Sequence, residues 1–215
     1  KAGSYITGQT IVVDGGGLFA GAGQTNPAPN LTAPIESRGG RIGIFEDGIV
    51  NFPQGVNLGP GNTNFDASFF PNSATLNFDG PLTREGGGIL NVTTALGGTV
   101  FVDSVPDADA NGILPFGIAG GDAFLKCDVN GALIANDVYK TLNRGGTNDA
   151  AQAVGNTTLA ANASESVIKV NSADLNGDGN SITADAFLFK GVNATLRNAT
   201  IMQNDDPPND QNELF

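Results

Sequence analysis

The residues of this chain best suited to chemistry are oxygen donors set at alternate positions. Asp174-Leu175-Asn176-Gly177-Asp178-Gly179-Asn180 spaces Asp174, Asn176 and Asp178 two residues apart, and Asp185 follows further on. Carboxylate and amide oxygens are hard ligands, and roughly six to eight of them can gather around Ca2+ where a glycine permits a sharp turn. Asp107-Ala108-Asp109-Ala110-Asn111-Gly112 is a weaker echo, with Asp107, Asp109 and Asn111 as the candidate donors. Both phrases also read as plain Asn-Gly or Asp-Gly turns that bind nothing.

The first phrase resembles the calcium loop of EF-hands and, more closely, of dockerin modules. The resemblance covers about a dozen residues and implies Asp174, Asn176, Asp178 and Asp185 as ligands at loop positions one, three, five and twelve. Gly179 then supplies the turn at position six. The chain departs from that pattern at position eight, where Ser181 replaces the usual apolar residue, and no helix is evident before the loop. In the second phrase position twelve is Ile118, so an acidic closing ligand is missing. Calcium is therefore the one cofactor expected.

Other chemistries are excluded by residue type. The chain has no His and one Cys, Cys127, so Ser–His and Cys–His nucleophile systems cannot be built within it. Structural zinc sites and an intrachain disulfide fail for the same reason. Cys127 reads as a small buried hydrophobe. Ser4 to Gly16 (SYITGQTIVVDGG) resembles the closing segment of short-chain dehydrogenases, and Gly17, Gly21 and Gly23 fit the spacing of that family's cofactor turn. The order is wrong, because Gly23 leads into Gln24-Thr25-Asn26-Pro27-Ala28-Pro29 rather than a helix that could face a pyrophosphate. The family's Tyr-x-x-x-Lys is missing as well, since Tyr5 is followed by Gln9 and Tyr139 by Asn143. Glu36, Glu46, Glu85 and Glu165 offer carboxylates for glycoside hydrolysis, but no spacing singles out a pair, and Trp is absent. The Phe residues, such as Phe69-Phe70, Phe187 and Phe189, read as core or subunit-contact anchors. No catalytic residues are assigned, and the chain is expected not to be an enzyme.

Charge narrows the partners. Ten Lys and Arg stand against 22 Asp and Glu, a net charge of −12. Phosphate backbones and anionic membranes would be repelled by such a surface. No apolar run approaches the roughly 20 residues that span a bilayer, and no signal-peptide pattern opens the chain. It begins at Lys1 rather than Met, which points to a processed or incomplete chain. Asn-x-Ser/Thr sequons at Asn30, Asn91, Asn156, Asn162, Asn193 and Asn198 point to a secreted, glycosylated surface.

The elements that would position these residues are strands. Gly at 31 is about twice the usual share, and Gly, Asn and Thr disfavour helix interiors. Ser4–Val13 reads as a strand, followed by a Gly- and Pro-rich connector. Short apolar runs then alternate with turns: Arg41–Phe45 and Ile49–Phe52 around Asp47-Gly48 as a hairpin, Ser73–Phe78, Ile89–Thr93, Thr99–Val102, Ile113–Ile118, and Ala123–Val129 with Ala132–Ile134 around Asn130-Gly131. Asn136–Arg144 could form a short helix, with a further turn at Asp149–Val154, before strands resume at Ser166–Val170, Ala186–Phe189 and Ala194–Met202.

The expected fold is mainly β, an antiparallel β-sandwich or jelly roll with an N-terminal extended arm. The alternative is a β-helix, for which the Gly-rich phrases Gly86–Val92 and Gly97–Val102 speak. Residues 1–34 are expected to be the arm and connector, acting between subunits. Residues 35–203 form the β-rich core, with a division into two subdomains open near 135–155, and 204–215 a flexible acidic tail. The expected function is a non-enzymatic structural subunit of a self-assembling surface structure, a virion coat or decoration protein, an extracellular filament or an S-layer. Its partners would be copies of itself or another coat or surface protein, with no nucleic acid and no membrane insertion. The runner-up is a calcium-dependent carbohydrate-binding or adhesive module. The expected location is extracellular, at a cell or virion surface.

Overall fold

The computed structural model describes residues 10–20, 33–44, 47–68, 74–94, 97–142, 150–202 and 213–214. Among them the chain is mainly β, with no helix. It advances in coils. The first contributes β1 (Ile11–Val13) and β2 (Gly17–Ala20); the second β3 (Ile35–Ser37), β4 (Gly40–Ile44) and β5 (Gly48–Phe52). The third adds β6 (Val56–Leu58), β7 (Gly61–Ala67) and β8 (Ala74–Phe78); the fourth β9 (Leu82–Arg84), β10 (Gly88–Thr94) and β11 (Thr99–Val102). Equivalent strands of successive coils pair side by side, giving the ladders β1-β3-β6-β9, β2-β4-β7-β10 and β5-β8-β11, all parallel.

The middle ladder continues into β12 (Ile113–Ala119) and then turns back through β13 (Ala123–Cys127) and β14 (Leu133–Ala135), the two antiparallel pairings among the described strands. A second stack follows. It comprises β15 (Lys140–Thr141), β16 (Ala150–Val154), β17 (Thr157–Thr158), β18 (Ala163–Ser164), β19 (Val167–Asn171), β20 (Asp174–Asn176), β21 (Ser181–Thr183), β22 (Ala186–Lys190), β23 (Thr195–Arg197), β24 (Thr200–Met202) and β25 (Glu213–Leu214). Its ladders, β15-β16-β19-β22-β25, β17-β20-β23 and β18-β21-β24, are again parallel.

Antiparallel pairing is thus the expectation that needs correcting. Apart from β12–β14 and the pair β15–β16, strands consecutive in sequence lie in different sheets, and each pairs with the strand one coil away. The sheets are several and largely parallel. Asp47-Gly48 does not close a hairpin: β4 and β5 belong to separate sheets, so the pair turns a corner. Asn136–Arg144 is not a helix either. Residues 136–139 have no regular structure, β15 follows, and 143–144 lie outside the described residues. The turn expected at Asp149–Val154 is the strand β16. Of the expected 1–34 arm, Ile11–Val13 and Gly17–Ala20 pair in register with β3 and β4, and residues 1–9 and 21–32 lie outside the described set. The 204–215 tail is described only at β25.

Inward side chains explain the stacking. Parallel register puts Val50 beside Leu76 and Leu76 beside Val100, all fully buried. Phe52 and Phe78 stack in the next column with ring centroids 4.8 Å apart, and Phe65 meets Phe78 at the same distance. Ala74, Leu76 and Phe78 share the inward face as their alternation requires. Outward positions carry amide ladders instead: Asn77 Nδ2 donates to Asn51 Oδ1 (2.9 Å), and Asn91 Nδ2 to Asn64 Oδ1 (3.3 Å). The second stack repeats the plan with Ile168, Val170, Leu175 and Ile182 inside.

The two stacks meet through an apolar joint. Ile113 and Phe124 of the antiparallel hairpin cluster with Ala150, Val167, Ala186 and Leu188 on the outer face of the β16-β19-β22 ladder. That ladder is buried on both faces, which is why Ala186-Phe187-Leu188 runs apolar without alternation. Tyr139 closes the joint, accepting a bond from the Phe124 N–H (3.1 Å), while Lys169 lies 5.2 Å over its ring.

Leu76→Ala is expected to cost about 2–5 kcal/mol, the range for truncating a fully buried Leu, and Ile49→Ala on the outer face of the neighbouring strand about 0.5 kcal/mol or less. Urea midpoints measure both; equal losses would show that the β5-β8-β11 ladder does not have an inside and an outside.

Candidate functional site

The two calcium-loop phrases are occupied by their own hydrogen bonds. Asp174, on β20, is gripped by Arg197 on the neighbouring strand: Nε lies 3.0 and 2.9 Å from the two carboxylate oxygens and Nη2 2.8 Å from Oδ2. Thr195 Oγ1 adds a bond of 2.7 Å. These donors hold the Asp174 carboxyl below the usual range, Arg197 first and Thr195 second. Asn176 Oδ1 accepts from the Asp178 N–H (3.2 Å) and from Asn198 Nδ2 (3.0 Å). Asp178 takes a left-handed φ of 52° in the turn, and Asp185 lies beyond β21 with its N–H on Ser166 O. A calcium ion here would have to displace Arg197 and Thr195 from Asp174.

The second phrase is half of a matched pair. Asp109 Oδ1 accepts from the N–H groups of Asn111 and Ile113, both at 2.8 Å. Asp128 Oδ1 does the same for Asn130 (2.8 Å) and Ala132 (2.9 Å). In each, the glycine three residues on returns its N–H to the aspartate carbonyl, Gly112 at 2.9 Å and Gly131 at 3.0 Å. Both glycines need positive φ, 77° and 83°, and a Cβ there would overlap a backbone oxygen. Asp-x-Asn-Gly is therefore a turn in which the carboxylate organises the backbone. Asp107 receives the Arg84 N–H at 3.2 Å. No group of three or more His, Cys, Asp or Glu side chains among the described residues is placed to hold a metal.

The glycosidase candidates are scattered. Glu36 pairs with Arg38 (2.7 Å), Glu85 accepts from Asn57 (3.2 Å), and Glu46 lies outside the described residues. Glu165 is buried, and desolvation raises its carboxyl above the ordinary value. Cys127 is partly buried, its thiol pushed up by desolvation and then by Asp128.

Two features escape the reading from sequence. One is an open cleft of about 550 Å3 on the flank of the first stack. Asn77 and Phe101 stand in register on β8 and β11, and Asp79 and Asp103 follow immediately after Phe78 and Val102, which pair with each other. Asn77 Nδ2 donates to Asp79 Oδ1 at 2.8 Å. The Asp128–Gly131 turn forms the opposite wall, pinned where Val102 N–H meets Gly131 O (2.9 Å), with Asn130 exposed and Val129 fully exposed at the rim. The signal in sequence was the spacing between equivalent residues of successive coils, legible only once the coil length is known.

The other is the end of the second stack. Phe187, Phe189, Leu196, Ala199 and Ile201 line an apolar hollow of about 340 Å3. Among the described residues β23 and β24 are the last strands of their ladders, β25 continues the ladder of β22, and Ile201 and Met202 are 54% and 50% exposed. Apolar area of this kind on a solenoid end is where another rung would bury it.

No protein-family model, curated protein or solved structure matches the chain.

Backbone donors to Asp128, from Ala132 and then Asn130, hold its carboxyl below the ordinary value of about 3.9. A depressed folded pKa contributes stability that is complete above the unfolded value and is lost as pH falls through the folded one. Asp128→Asn should therefore flatten the acid limb of a urea-midpoint profile between about pH 2 and 5, a window set by that ordinary value, and leave its shape at neutral pH alone. An unchanged acid limb would remove the charge from the turn's role. Melting temperatures with calcium, with chelator and in Asp178→Ala test the expected calcium site: a rise with calcium that Asp178→Ala abolishes would place an ion there, and identical melting temperatures would leave the loop an ordinary turn.

Proposed function

We propose that this chain is a non-enzymatic structural segment of a surface assembly, a virion coat or decoration protein, an extracellular filament or an S-layer, in which it associates with copies of itself or with another coat protein. The observation that carries the reading is the apolar end of the second stack, where Ile201 and Met202 are half exposed beside a hollow lined by Phe187, Phe189 and Leu196. A solenoid is close to one-dimensional, each rung burying its neighbour; among the described residues only β25 continues past this rung, beside β22, and the apolar area on β23 and β24 favours addition of another unit. Among the described residues no strand pairs with the outer edge of β24, an edge suited to the same addition. The acidic surface supports solubility between contacts and repels nucleic acid. An extracellular or virion-surface location accords with exposed sequon residues Asn156, Asn162, Asn193 and Asn198.

The test is association state. Light scattering coupled to size exclusion and negative-stain imaging should show concentration-dependent oligomers or fibres for the intact chain. Ile201→Asp, a substitution at a half-exposed position, should leave the β spectrum intact and reduce the species to monomer. A chain that stays monomeric at high micromolar concentration overturns the proposal, as does association that Ile201→Asp does not weaken.

A further inference from the structure

The flank cleft is separate from the stack end in place and in chemistry. Its volume is about 550 Å3, and it is an open cleft with a mostly polar lining. Its lining mixes three kinds of group. Phe101 gives an aromatic surface, partly exposed, and Val129 at the rim gives a second apolar contact. Asp79 and Asp103 are exposed carboxylates one coil apart, so their backbones are separated by about the 4.8 Å of adjacent strands. Asn77, whose Nδ2 donates to Asn51 and Asp79, lines the cleft as well, and Asn130 adds an exposed amide.

We infer that this cleft binds a neutral oligosaccharide, with Phe101 stacking on the apolar C–H face of a sugar ring and Asp79 and Asp103 accepting its hydroxyl protons. The combination is what sugar recognition requires. A pyranose has one apolar face and a rim of hydroxyls, and a carboxylate accepts from two neighbouring hydroxyls with charge-assisted bonds. Amides donate and accept without fixing a charge. Strand spacing repeats the acceptor along the stack axis, so successive sugar units of an extended chain would meet equivalent groups. Uronic-acid and sulfated polymers would be turned away by the two carboxylates and by the net charge of −12. No bond is made or broken in this proposal.

The experiment is isothermal titration of the intact chain with four probes: β-1,4-linked glucose and mannose hexasaccharides, oligogalacturonate, and an oligolysine peptide. At least one neutral hexasaccharide should bind, with an affinity unchanged between low and moderate NaCl, and oligogalacturonate should not. Phe101→Ala and Asp103→Asn should each weaken binding about tenfold or more, the loss of a stacking contact or a charge-assisted bond. Thr158→Ala, on the second stack, should leave it unchanged. Melting curves of all three variants should match the parent, since the substituted side chains are outside the core. No binding by either neutral hexasaccharide overturns the inference, and so does salt-sensitive binding of oligolysine alone. Neutral-sugar binding that survives both cleft substitutions overturns it as well.

Discussion

Everything in this molecule depends on like side chains standing over like in adjacent coils. Val50, Leu76 and Val100 form one inward column, and Phe52 and Phe78 stack in the next. Each fully buried side chain of this size contributes about 1.5–3 kcal/mol of transfer free energy. Register must be kept coil after coil, because a slip of one residue would turn every inward side chain outward. The turn residues serve that requirement. Asp109 gathers two backbone N–H groups just before β12, and Asp128 does the same in the turn between the antiparallel strands β13 and β14.

Stacking divides the surface as well as the core. Outward columns become ladders of Asn, Asp and Thr at strand spacing, and where a turn stands beside one of them a cleft forms. The same regularity leaves apolar area on β23 and β24, beyond which, among the described residues, only β25 continues the stack, beside β22. The flank proposed to recognise a ligand and the end proposed to add a subunit both arise from one plan. They do not compete for the same residues: the cleft uses Phe101, Asp79 and Asp103, and the end uses Leu196 and Ile201.

Strand content was legible in the sequence, and so were individual faces. Ala74, Leu76 and Phe78 alternate and are buried, and Asn130-Gly131 does close an antiparallel turn. Pairing partners were not legible. A meander and a solenoid both read as short apolar runs cut by glycine, and they differ only in whether a strand pairs with its sequence neighbour or with one a coil away. Coil lengths vary, from Ile35 to Val56 and from Val56 to Leu82 for example, so no fixed repeat marks the period. The site was hidden for the same reason. Asp79 and Asp103 are unremarkable turn residues until β8 and β11 are laid side by side. Asp174 and Asp178 drew notice by local pattern, yet the residue that answers Asp174 is Arg197, one coil further on.

A pair of engineered cysteines tests the parallel stacking most directly. In a background with Cys127→Ser, Ile49→Cys and Thr75→Cys place two thiols on outward positions that stand in register on β5 and β8. Strand spacing of about 4.8 Å falls within the reach of a disulfide. Stacked coils predict near-complete cross-linking on mild oxidation of the folded protein and none in urea. Failure of the folded protein to cross-link, with both thiols reactive toward a small reagent, would contradict the parallel arrangement.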